Sequence, residues 1–115
     1  DVIISSGYRI GPFEVESALI EIAEVAEAGV IGAPDELFFE KVVAYVRLKP
    51  GCTWTRDLEL KLRLHVSNRV SSVATPQEIR VSDMIPKNKS GKIMRRVLKA
   101  WFTGQEAGDL STLEE

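Results

Sequence analysis

The chain has 115 residues, of which 44% are hydrophobic and 28% charged, and its formal net charge is −2. That length suits one domain with a modest core, and the slightly acidic balance gives no global signal for nucleic acid or a membrane surface. One cysteine, Cys52, rules out an internal disulfide, the lone His65 beside it makes a zinc site improbable, and no apolar run approaches the roughly 20 residues of a membrane span.

In chain order, the first residue is Asp1 and not Met, and it stands on a strand-like run, which reads as a domain taken from a longer protein. Val2, Ile3 and Ile4 are β-branched and predict a strand. Ser5-Ser6-Gly7 marks a turn and Tyr8-Arg9-Ile10 a second short strand, giving an N-terminal hairpin. Pro12 suits a helix start, with Val15, Ala18, Leu19 and Ile22 at i, i+3, i+4, i+7 on one apolar face. Glu14 and Glu16 favour its first turn and are read as a solvated face without catalytic work.

Ala28 to Gly32 predicts a buried strand, Pro34-Asp35 the start of a loop, and Val42, Val43, Tyr45, Val46 and Leu48 a further strand closed by Pro50-Gly51. Phe38 and Phe39 in that loop are either core anchors or a patch for a larger domain. Leu58, Leu60, Leu62, Leu64 and Val66 alternate like a strand, but the residue types between them favour helix. The helix is preferred, with Thr55 as N-cap and Leu58, Leu62, His65 and Val66 on one face. His65 is a packed or surface residue without a visible partner. Glu78 to Val81 predicts a short strand. A last helix carries Ile93, Val97, Leu98 and Trp101 on its apolar face, Arg95, Arg96 and Lys99 on other faces, and ends at Gly104. The expected fold is α+β: a small antiparallel sheet with an N-terminal hairpin, flanked by about three helices, over residues 1–103. Residues 104–115 are expected to form a loosely ordered acidic tail.

The stretch that stands out is Pro86-Lys87-Asn88-Lys89-Ser90-Gly91-Lys92-Ile93-Met94-Arg95-Arg96. From 86 to 99 there are six basic residues and no acidic one. A lysine on a glycine turn can meet a phosphate or carboxylate as a point charge; a plain solvated basic turn fits the same residues. A Walker phosphate loop does not, because the pattern would need Gly at Pro86 and Ser or Thr at Ile93.

This stretch resembles the C-terminal lysine motif of the AMP-forming acyl-CoA synthetases, in the adenylate-forming superfamily. Ser6 to Glu16 (Ser-Gly-Tyr-Arg-Ile-Gly-Pro-Phe-Glu-Val-Glu) resembles the hinge-side motif of the same family, in the right order and at family spacing. The resemblance implies a mobile C-terminal lid domain, which swings about a hinge against its own larger N-terminal domain. It implies Lys92 as the catalytic cation for ATP-dependent adenylation of a carboxylic acid. It implies Gly7, Tyr8 and Arg9 beside CoA and phosphate in the thioester-forming state, and Arg69 near the CoA 3′-phosphate. ATP and CoA would be co-substrates, with Mg in the N-terminal domain and a cytoplasmic location. Ala74-Thr75-Pro76 and the tail are similar to acetyl-CoA synthetases and point to a short- or medium-chain acid. Phe38-Phe39-Glu40 and Val43 depart from the Arg-Gly-Glu and lysine common in relatives. Two further readings stand beside this one. The first is a lid whose acceptor is not CoA, as in a peptide synthetase or luciferase-like enzyme. The second is a basic-helix module binding nucleic acid or protein, which would need aromatics interleaved with its cations.

Overall fold

Two long strands, β3 (Val25–Asp35) and β4 (Phe39–Leu48), form the ribbon on which everything else is mounted. The computed structural model describes residues 1–104, so the expected acidic tail lies outside the described residues beyond Gly104. The ribbon is antiparallel, with Val30 opposite Ala44 and Ile31 opposite Val43, so each face carries β-branched and small residues from both strands. Around it lie β1 (Ile3–Ser5), β2 (Tyr8–Ile10), α1 (Pro12–Ile20), α2 (Arg56–Arg69), β5 (Glu78–Val81) and α3 (Arg95–Thr103). Strand order is β2-β1-β4-β3, with β5 also on β4. β1 meets β4 at Ser5 and Phe39, and β5 runs beside residues 43–46. The α+β fold, its hairpin and its three helices are as expected; β5 alone joins in parallel.

Both faces of the ribbon are covered. Val30, Val42, Ala44 and Val46 pack with Val15, Leu19, Leu62 and Val66 of α1 and α2. Ile31, Val43 and Tyr45 pack with Ile85 and Leu98 on the α3 side. Gly29 permits that second layer: a Cβ there would lie 2.6 Å from Leu98 Cδ1 and 3.2 Å from Ile85. Among the described residues no helix is long and apolar enough to cross a membrane.

Several details differ from the sequence expectation. Pro34-Asp35 does not open a loop. β3 continues through Asp35, and Pro34 is tolerated because β3 is an edge strand, where a missing N–H need not break the ladder. The turn that follows exposes Leu37 and Phe39, and Phe39 takes the left-handed conformation (φ 75°). Phe39 is therefore no core anchor. α2 buries Leu58, Leu62 and Val66 and exposes Leu60 and Leu64, with Thr55 Oγ1 accepting from Leu58 N at 3.1 Å as its cap. His65 sits at the rim of that face, where Nε2 meets Glu21 Oε1 at 2.7 Å. α1 ends at Ile20, and α3 begins only at Arg95, leaving Ile93 in the preceding turn.

Candidate functional site

The lysine stretch is a short, self-closed loop. Met94 N donates to Pro86 O at 2.9 Å, and Lys87 and Ile93 form an antiparallel bridge. At the tip, Asn88 N donates to Lys92 O (2.9 Å) and Gly91 N to Asn88 O (2.9 Å), while Gly91 takes φ +84°. That left-handed residue is why a glycine stands there. The Asn88 side chain closes the ring: its Oδ1 accepts from Ser90 N (3.0 Å), Ser90 Oγ (2.8 Å) and Lys92 N (2.9 Å).

The root of the loop is fixed to β3 at three nearby points. The Lys87 ammonium pairs with Glu27. Ile85 and Ile93 pack over Gly29. Arg95 donates through Nε to Val30 O at 3.2 Å and grips Glu16 through Nη2 at 2.7 and 2.8 Å. Glu16 is only 5% exposed, and its Oε2 also accepts from Val30 N at 2.9 Å. Two expectations are corrected here. Glu16 is not part of a solvated face, and Arg95 turns inward from its helix. Burial pushes the Glu16 carboxyl above its ordinary value, against the opposing pull of Val30 N–H and Arg95. Lys92 itself is exposed, and among the described residues no hydrogen bond or ion pair engages its ammonium. The loop thus presents two exposed lysines, Lys89 and Lys92, on a fixed base.

The hairpin residues lie elsewhere. Ser6 (φ 53°) and Gly7 (φ 83°) form the two-residue turn between Ser5 and Tyr8, both in the left-handed region that a right-twisted hairpin needs. Turn geometry by itself accounts for Gly7, and space for a Cβ is open around it. Tyr8 and Arg9 are exposed. Ser6 N donates to Phe38 O at 2.9 Å, which ties this turn to the Asp35–Phe39 end of the ribbon. The lysine loop is rooted near Gly29, roughly 20 Å away at ~3.3 Å per residue. Lys92 and the Gly7 turn are therefore not brought together within the domain.

Arg69 stands apart from both, on the α1–α2 side. Its Nε and Nη2 hold both Glu21 oxygens at 3.0 Å, and His65 shares Oε1. The Arg69 and His65 hydrogen bonds draw the Glu21 carboxyl down to about 2. The guanidinium is half-exposed but committed to an internal partner. Among the described residues no cluster of His, Cys, Asp or Glu is arranged to hold a metal ion. Sequence reasoning missed Glu16, Glu27 and Asn88. Asn88 could have been found, since Asn two residues before Ser-Gly is a turn former whose side chain bonds backbone ahead of it. Glu27–Lys87 and Glu16–Arg95 are long-range pairs with no local signal.

Comparison with known proteins bears on this geometry. Residues 14–92 match the family described as AMP-binding enzyme C-terminal domain. Acetyl-coenzyme A synthetase of Bacillus subtilis is 50% identical over 115 residues, all of this chain and 20% of the relative. The enzyme of that name from Pyrobaculum arsenaticum is 44% identical, again over all of this chain and 17% of the relative. The chain thus spans about a fifth of the length of the curated relatives it matches. Among solved structures, Brucella canis acyl-CoA synthetase superposes with a TM-score of 0.85 at 47% identity, covering 90% of this chain and 19% of that one. The amide bond synthetase McbA from Marinactinospora thermotolerans superposes with a TM-score of 0.81 at 28% identity, covering 89% of this chain and 20% of that one.

Proposed function

The chain belongs to the AMP-binding enzyme C-terminal domain family, and from that premise we propose that it is the mobile lid of an AMP-forming acyl-CoA ligase. In this reading Lys92 supplies the positive charge for the first half-reaction. A carboxylate attacks the α-phosphate of ATP, giving an acyl-adenylate and pyrophosphate. Two anions approach, so the barrier is largely electrostatic, and a cation between carboxylate oxygen and α-phosphate lowers it. One such contact is worth ~3–4 kcal/mol, a factor of roughly 10²–10³. The CoA thiol then attacks the acyl carbon and AMP leaves. For that step the domain turns its hairpin toward the reacting centre, with Gly7 and Tyr8 beside the incoming CoA and Arg9 near phosphate.

The observation that carries this reading is the exposed, unpaired Lys92 on a loop whose base is fixed to the sheet. Arg69 is the weakest member of the site, since holding the CoA 3′-phosphate would require it to leave Glu21. A small acid such as acetate is favoured because the relatives that align along the whole chain are acetyl-CoA synthetases. The same identities favour CoA over an amine acceptor: 50% to an acetyl-CoA synthetase against 28% to the amide bond synthetase. The ATP and acyl sites, and the Mg that accompanies ATP, belong in this reading to a larger N-terminal domain, and the working location is the cytoplasm.

The test is Lys92→Ala in the full-length parent. Carboxylate-dependent pyrophosphate exchange should fall roughly 10²–10³-fold, while thioester formation from supplied acyl-adenylate survives. Equal loss of both would assign Lys92 to folding or docking, and no loss would return the loop to a solvated basic turn.

A further inference from the structure

The lysine loop holds its catalytic residue by the backbone, and one side chain does most of the holding. Lys92 N donates to Asn88 Oδ1 at 2.9 Å, and Lys92 O accepts from Asn88 N at 2.9 Å. Both main-chain polar groups of Lys92 are therefore satisfied by the same residue. The carboxamide oxygen also gathers Ser90 N and Ser90 Oγ, so three donors converge on one atom. Gly91, between them, is in the left-handed conformation and has no Cβ to stiffen the turn. Without the carboxamide, a glycine-containing tip of five residues would be held by main-chain bonds alone.

We propose that Asn88 is a positioning residue for Lys92: its side-chain oxygen fixes the direction in which the lysine leaves the loop. The proposal rests on the reading of Lys92 as the adenylation cation. A lysine side chain has four rotatable bonds and gives no directional preference of its own. Its reach is set by where its Cα and Cβ stand, and an error near 1 Å at the reacting atoms can cost about 10²-fold in rate. The lower part of the loop is already rigid, through Lys87–Glu27 and the Ile85–Ile93 packing over Gly29. The remaining freedom is in the tip, where Asn88 acts. Asn88 does not enter either apolar core, so its removal should leave folding intact.

The experiment uses Asn88→Ala, Asn88→Asp and Lys92→Ala in the full-length parent. Pyrophosphate exchange, thioester formation from supplied acyl-adenylate and thermal unfolding are measured on each. Asn88→Ala should lower the adenylation kcat about 10- to 100-fold, with the thioester step and melting temperature unchanged. Asn88→Asp keeps an acceptor oxygen in place and should restore most of the rate. Amide exchange should show the Lys92 N–H losing protection in Asn88→Ala while Val97 and Leu98 keep theirs. The proposal is overturned if Asn88→Ala retains adenylation within about twofold while Lys92→Ala abolishes it, or if Asn88→Ala lowers both half-reactions alike. If Lys92→Ala itself has no effect, the adenylation reading fails, and this proposal with it.

Discussion

Glu16 and Arg95 test how much the buried ion pair beneath the loop contributes. Glu16 is 5% exposed, and its carboxylate accepts from Val30 N and from two nitrogens of Arg95. Burial nonetheless raises its pKa, so desolvation outweighs these partners. The sign follows directly. A carboxyl whose folded pKa lies above the unfolded value contributes stability that is full below about 4.5 and is lost as pH rises through the folded pKa. Glu16→Gln removes this loss and keeps an oxygen for Val30 N–H and one Arg95 bond, so at pH 7 it should cost less than about 1 kcal/mol. Arg95→Met is different. It leaves a buried carboxylate without its cation, at a cost of about 3–5 kcal/mol, a large part of the ~5–15 kcal/mol typical of a domain. The double variant should recover most of that loss. Urea unfolding of the chain by circular dichroism, at pH 4.5 and pH 7, measures all four corners of the cycle. A Glu16→Gln loss equal to that of Arg95→Met at pH 7 would refute the reasoning, because attraction would then outweigh desolvation.

Two further outcomes are expected. Glu21 is held down to about 2 by Arg69 and His65, so its contribution is present above about 4.5 and lost as pH falls toward 2; Glu21→Gln should flatten the acid limb of a stability-against-pH curve in that window, and an unchanged limb would show the network to be idle. Gly29→Ala places a methyl 2.6 Å from Leu98 Cδ1 and should cost about 1–3 kcal/mol by overpacking, with amide exchange rising first in α3; a melting temperature matching the parent would show that the α3 layer yields freely.

Local rules were enough for much of the chain. The Ser6-Gly7 turn, the Thr55 cap and the Gly104 stop are chemistry of adjacent residues, and each is found where expected. The leucines of α2 alternate but fold as helix because Leu60 and Leu64 are simply left outside, so composition outranked period. What the sequence hid is long-range. The Glu16–Arg95 pair spans 79 residues, and nothing near Glu16 distinguishes it from the exposed Glu14 beside it. The parallel pairing of β5 depends on α2 crossing back over the ribbon, which no local period encodes. Pro34 read as a breaker because its edge position, which makes it harmless, exists only once the sheet is assembled. For the candidate site, the motif resemblance supplied Lys92 and the Gly7 turn, and the structure adds what holds them.

The separation of those two groups constrains the proposed mechanism more than their identity does. Both are tied to the same ribbon: the hairpin turn at the Phe38 carbonyl, the lysine loop at Gly29 and Val30. The ribbon is filled on both faces by close-packed side chains, and such a layer does not bend to bring points roughly 20 Å apart to one place. Both groups cannot then serve one reacting atom in one pose of the domain. If each serves a different half-reaction, the domain must move as a body between them, and the motion must be taken up outside β3 and β4. Under that proposal a rigid domain with its two groups at separate places on one ribbon would gain order by this: Lys92 would leave the centre whenever the hairpin arrived.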